Sequence, residues 1–187
     1  MEKTELRIRK FGEPVLRKKS APVKKITPEH QEFLSKMARL MYEGEGVGLA
    51  APQAGLNEAM IVVDIGKGLY KLINPKIVKA QGCQTNEEGC LSVPGVCIKI
   101  KRAKRIELVA LSESGKPLNI EAEGLLACVF QHEIDHLRGK LIVDYASFLE
   151  KVKISRILKE LKKKAKDGTS EPPPSLVKAG NSRPFSL

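Results

Sequence analysis

Gln131-His132-Glu133-Ile134-Asp135-His136 lies inside a run, Gly124 to Leu137, that also holds Leu125, Leu126, Val129, Phe130 and Ile134. Gly139 follows where a helix would be capped. Apolar residues fall on most sides of this helix, so it is predicted to be central and buried, with the other elements packed around it. His132 and His136 are four apart, which puts both imidazoles on one helix face, about 5–6 Å apart at Cβ and within reach of one ion. Glu133 is offset by one residue: off the ligand face, yet able to reach a water held on that ion. An ion lowers the pKa of such a water to about 7, and a carboxylate then accepts its proton. The chain has only three histidines, so chance is a poor account of two at this spacing, and buried imidazoles need partners.

Outward from that helix the chain reads as α+β. Thr27-Pro28-Glu29 combines an N-cap, a proline at the first helical position and an acidic first turn. Phe33, Leu34, Met37, Leu40 and Met41 then follow at helical spacing with Gly44 as a stop, which predicts an N-terminal surface helix over 28–42. Gly46-Val47-Gly48-Leu49-Ala50-Ala51-Pro52-Gln53 has too many glycines for a helix and a proline that blocks a central strand, so it reads as an extended loop or edge segment. From Ala59 to Ala122 the texture is strand-like: a buried run at Met60–Ile65, Leu69 to Ile73 ending at Asn74-Pro75, and a hairpin across Ser114-Gly115-Lys116. Glu87 to Cys97 is expected to be irregular. Ser147-x-x-Glu150 is a capping box that opens a C-terminal helix with Ile154, Ile157, Leu158, Leu161 and Ala165 as its apolar stripe. These elements predict antiparallel or mixed sheets around the central helix, one domain over 1–166 and a flexible, basic, proline-rich tail over 167–187.

Of 187 residues, 42% are apolar and only 4% aromatic, without tryptophan. A sizeable core can form, on Leu, Ile and Val, whereas an aromatic stacking platform for single-stranded nucleic acid is disfavoured. No apolar run approaches the roughly 20 residues that cross a bilayer, and Met1–Glu5 has neither the apolar stretch of a secretory signal nor the acid-poor composition of a transit peptide. A soluble, cytoplasmic protein is expected. The net charge is +11. Ten basic against four acidic side chains fall between Glu150 and Leu187, a bias that suits an acidic partner such as RNA or simply a solvated helix face. Cys83, Cys90, Cys97 and Cys128 form no Cys-x-x-Cys pair, so zinc-ribbon and thioredoxin-type sites lack their spacing and reduced thiols are expected.

A catalytic site of the His-Glu-x-x-His kind wants a third protein ligand and one open position. The variant with a further downstream His fails, because that position is Ile142. Glu150 and Glu160 are available on the lysine-rich helix, and Cys90 sits in the Gly-punctuated turn Glu88-Gly89-Cys90-Leu91-Ser92.

Taken in order, Gly46–Gln53, Glu88–Ser92 and Gln131–His136 resemble the three motifs of peptide deformylases, in a match that spans roughly residues 6 to 165. The resemblance implies that Cys90, His132 and His136 hold a metal whose bound water attacks a formyl carbon, with Glu133 as general base. The developing oxyanion would be held by the metal, the Gln53 amide and the Leu91 N–H. The substrate would be the N-formylmethionine end of a nascent polypeptide, releasing formate. Its backbone would pair with the extended Gly46–Leu49 segment, Gly48 included, with Gly89 also in contact, and Val47, Leu125, Cys128 and Val129 would line the methionine pocket, where the alternative is plain core packing. The ligand set alone suits zinc; ferrous iron, with zinc, nickel or cobalt able to replace it, rests on the family. Family members commonly carry Arg where this chain has Cys97, so altered substrate affinity with retained chemistry is expected, while Arg102 fits the usual pattern. The resemblance also implies a monomer that docks on the ribosome through its C-terminal helix, with Lys151, Lys153, Arg156, Lys159, Lys162, Lys163 and Lys164 as the RNA-facing set. Neither DNA nor a membrane is an expected partner. The rival readings are a peptidase with a Glu third ligand and a basic RNA-binding module with a structural metal. A relative without activity is disfavoured, because Gln53, Cys90, His132, Glu133 and His136 are all present.

Overall fold

The computed structural model describes residues 6–167. Its elements run α1 (Pro28–Glu43), β1 (Gly48–Ala50), β2 (Met60–Val63), β3 (Tyr70–Gln81), β4 (Gln84–Glu88), β5 (Ile98–Arg102), β6 (Arg105–Ser112), β7 (Pro117–Glu123), α2 (Leu125–Leu137) and α3 (Phe148–Lys166), with short 3₁₀ turns at Pro14–Arg17, Ala51–Ala54 and Ile142–Asp144. β1, β2, β3, β6 and β7 form one sheet in the order β1-β2-β3-β6-β7, and β4 pairs with β5 in a second. Every pairing in both sheets is antiparallel. The expected α+β class stands, with β1 as an edge strand. No helix among the described residues is long and apolar enough to cross a membrane.

β2 explains how the larger sheet is covered. Its residues alternate between faces, as any strand's do: Ile61 and Val63 join α2 through Ala127, Val129, Phe130 and Ile134, whereas Met60 and Val62 join α1 through Leu34, Met37 and Met41. A strand buried on both faces has no polar positions, hence the unbroken apolar run. A third cluster packs the Val93–Ile100 segment against Leu141–Val143, with Ile154, Ile157, Leu158 and Leu161 of α3 closing over it. Ser147 caps α3 as its spacing predicts: its N–H donates to Glu150 Oε2 at 2.8 Å and its hydroxyl accepts from the Glu150 N–H at 3.3 Å.

Two expectations are corrected. β3 does not stop at Asn74-Pro75. It continues to Gln81, with its register to β6 shifted between Ile73 and Lys76, so the residue lacking an N–H sits where the ladder is already interrupted. Asn74 takes a left-handed conformation (φ 53°) and its side chain bonds both the N–H and the carbonyl of Val23, each at 2.9 Å. Glu87 and Glu88 are also not irregular. They close β4, a polar strand with no apolar alternation to betray it, and only Gly89–Cys97 lies outside strands. The tail expected at 167–187 lies, apart from Asp167, outside the described residues.

Gly139 ends α2 at φ 74°, and a Cβ there would lie 2.7 Å from the Arg17 carbonyl oxygen. A left-handed conformation and a backbone collision add, so Gly139→Ala should lower the unfolding free energy by about 2–3 kcal/mol. Urea unfolding at neutral pH reads this out.

Candidate metal centre and active site

α2 carries His132 and His136 on the face turned toward the Gly89–Cys97 turn. Cys90 Sγ, His132 Nε2 and His136 Nε2 lie within 4.8 Å of one another, all buried. His136 Nε2 is 3.1 Å from His132 Nε2 and 3.3 Å from the sulfur. Burial, then the nearby His132 and Arg102, keep the pKa of His136 well below the usual imidazole value, so it is neutral and free to ligate. Burial pushes the Cys90 thiol up to about 12, against which the backbone amides of Ser92 and Val93 work.

Glu133 is fully buried beside this cluster, and neither carboxylate oxygen has a partner among the described residues. Burial, then the negative charge of Glu88, raise its pKa well above the usual carboxylate range. The carboxylate abuts β1: a Cβ on Gly48 would collide with Glu133 Oε1 and stand 2.9 Å from its Cδ. Gln53, fully buried in the turn after β1, accepts from the Ala50 N–H at 2.8 Å, and its amide nitrogen is 3.2 Å from Ser92 Oγ and 3.7 Å from Cys90 Sγ.

A deeper layer orients the histidines. His132 Nδ1 bonds Glu88 Oε2 at 2.9 Å. Glu88 in turn takes Arg102 Nε and Nη2 at 2.7 and 2.8 Å, while Arg102 Nη1 reaches Asp135 at 2.5 Å and Tyr145 donates to the same Asp135 oxygen at 2.6 Å. Burial favours a protonated Glu88, but hydrogen bonds from Arg102 and His132 and their charges carry its pKa down to about 2. A carboxylate on the far nitrogen fixes the ring and its tautomer and makes the near nitrogen a better donor.

A thiol, two imidazoles and a carboxylate without a partner among the described residues converge here. The sequence profile of the family described as polypeptide deformylase matches residues 5–152. The chain belongs to the peptide deformylase family. It is 51% identical over 141 residues to the peptide deformylase of Halothermothrix orenii, covering 74% of this chain and 92% of that one. Its fold matches the peptide deformylase of Thermus thermophilus with a TM-score of 0.82 at 36% identity, over 86% of this chain and 99% of the other. For the Thermotoga maritima peptide deformylase the values are 0.73 and 44%, over 74% and 95%.

Deformylases are metal-dependent hydrolases, and the buried sulfur and two nitrogens of this chain suit a divalent transition metal. The structure brings Gln53, Cys90, Leu91, His132, Glu133 and His136 to one place. The expected pocket residues divide. Cys128 and Val129 are buried in the core on α2, with the Cys128 thiol donating to Glu88 at 3.2 Å, whereas Val47 and Leu125 stay partly exposed at the edge of the same cluster. Cys97 is exposed. Sequence reasoning gave Glu88, Asp135 and Tyr145 no role. The signal was there for Asp135, a charge on a helix that is otherwise apolar on most sides, since such a charge needs a buried partner.

Proposed function

We propose that this chain removes the formyl group from the N-terminal formylmethionine of nascent polypeptides and releases formate. The observation that supports this best is Glu133: a fully buried carboxyl group without a partner among the described residues, beside the Cys90–His132–His136 cluster. Cys90, His132 and His136 would hold the metal, with ferrous iron as the native ion. When bound, the ion supplies Lewis acidity, polarising the formyl oxygen and acidifying the attacking water.

This chain's own groups do the rest. Glu133 takes the proton of the attacking water and passes it to the leaving nitrogen, a shuttle its raised proton affinity suits. The Gln53 amide and the Leu91 N–H hold the developing oxyanion. The substrate backbone adds along the free edge of β1 through Val47 and Gly48, with Gly89 opposite. Leu125, Cys128 and Val129 shape the methionine pocket. The enzyme works as a monomer in the cytoplasm, within the domain 1–166.

The test is formate release from formyl-Met-Ala-Ser by protein purified without oxygen and loaded with ferrous iron. Release of formate with the internal amides left intact is expected. Cleavage of an internal amide, or no release from protein with metal on Cys90, His132 and His136, overturns the reading. Gly48→Ala should reduce release by about 10²-fold with metal content unchanged, because the added methyl displaces Glu133 and misplacing a catalytic group by an ångström costs that much.

The basic face of α3 would dock on ribosomal RNA. Lys151, Lys153, Arg156, Lys159, Lys162, Lys163 and Lys164 are all exposed, while Ile154, Ile157, Leu158 and Leu161 turn toward the protein. Co-sedimentation with ribosomes should fall by an order of magnitude or more between about 50 and 200 mM salt if these residues neutralise phosphates. Salt-independent pelleting would remove this partner.

A further inference from the structure

β4 is polar on its inner face. Gln84, Asn86 and Glu88 alternate with the exposed Thr85 and Glu87, and they stand opposite Arg102, Ile100 and Ile98 of β5, all three buried. Both ends of that face are tied to α2. Gln84 Nε2 donates at 2.7 Å to the carbonyl of Gly124, the residue before the helix, and at 3.3 Å to that of Ala103. Glu88 accepts from the Cys128 thiol at 3.2 Å and bonds His132 Nδ1 at 2.9 Å. The strand therefore follows the helix from its start toward the metal cluster, and Asn86, between the two ties, comes level with the first turn, Leu125 to Cys128.

Asn86 differs from both neighbours on that face. Its Nδ2 is buried and has no hydrogen-bond partner among the described residues. A buried donor left unpaired costs free energy that an acceptor from outside the chain can recover. Burial, then the charge of Glu88, push the Cys128 thiol up to about 12, and the Asn86 amide, short of a hydrogen bond to it, works against them. Leu125, Cys128 and Val129 are the residues given above to the methionine pocket, and a methionine side chain carries one acceptor, its thioether sulfur. We propose that Asn86 is a specificity-determining residue of this pocket, donating from Nδ2 to the thioether sulfur of formylmethionine. This rests on the activity proposed above. Norleucine has a methylene where methionine has the sulfur and is otherwise the same chain. A purely apolar wall barely separates two such isosteres, whereas a buried donor does, because norleucine leaves it unpaired.

Formyl-Met-Ala-Ser and formyl-norleucyl-Ala-Ser are compared on ferrous-loaded protein purified without oxygen. Wild type should show a kcat/KM about 5- to 10-fold higher for the methionine peptide, the worth of one weak buried hydrogen bond. In Asn86→Leu the two values should come within about 2-fold of each other, chiefly through a lower KM for the norleucine peptide. Loss of structure alone would lower both values together and keep their ratio. Should Asn86→Leu fail to fold, Asn86→Ala, which removes the donor without adding bulk, is measured in its place. A wild-type ratio below about 2-fold, or a ratio unchanged in the folded variant, overturns the role of Asn86 alone. Loaded wild-type protein that releases formate from neither peptide overturns the proposed activity, and the role of Asn86 with it.

Discussion

Glu133→Gln should abolish formate release while leaving the protein folded and its metal in place. The amide keeps the shape of the carboxyl group but can neither accept the water proton nor return it, and a positioned acid–base group contributes about 10²–10⁴-fold to rate. Metal content should not change, because the proposed donor atoms, on Cys90, His132 and His136, are left intact. Stability should hold or rise. The wild-type carboxyl is wholly buried without a partner among the described residues, and burial with the charge of Glu88 makes its ionised form costly. Anaerobic formate assay, metal stoichiometry and melting temperature measured on the same preparation check all three. A variant that retains more than about a tenth of wild-type turnover would mean that the proton travels through another group.

Much of this frame is legible in the chain because the signals are local. His132 and His136 announce themselves by an i, i+4 spacing, and α1, α2 and α3 by apolar residues at helical period, with Ser147 and Gly139 marking ends where the structure has them. The turn at Ser114-Gly115 is equally local. What stays hidden is long-range or polar. β4 has no apolar alternation, and its one buried side chain, Glu88, is charged; it is inside because Arg102, 14 residues on, and His132, 44 residues on, both bond it. β3 runs through Pro75 because Asn74 ties to Val23, 51 residues away. No window of sequence contains those partners. The pocket residues are ambiguous for a related reason: Val129 and Cys128 on α2 are core by burial, and only a bound substrate separates a core wall from a pocket wall.

The hidden polar layer carries the largest expected stability effect. Arg102 has 5% of its side chain exposed, bonds both oxygens of Glu88 and one of Asp135, and lies 5.0 Å from the centre of the Tyr145 ring. Arg102→Met would keep much of the volume and remove the guanidinium between two buried carboxylates. Breaking a buried ion pair from one side costs about 3–5 kcal/mol, because the remaining charge has lost its partner. The exposed Lys104–Glu123 pair offers the contrast: Lys104→Met should cost no more than about 1 kcal/mol. The pH dependence follows with its sign. Glu88 titrates at about 2 in the folded protein, below its ordinary value of 4.5, so its contribution is present above about pH 4.5 and is lost as pH falls toward 2. Without Arg102 most of that contribution is gone at neutral pH, and the stability difference between wild type and variant should narrow on acidification. His132 would be left on a carboxylate with one fewer anchor, so metal affinity should fall about 10- to 100-fold as well. Urea unfolding of the metal-free proteins from about pH 2.5 to 7 reads the narrowing, and metal titration at neutral pH reads the affinity. A loss below about 1 kcal/mol would mean that Tyr145 on Asp135 and His132 on Glu88 suffice to hold the two carboxylates.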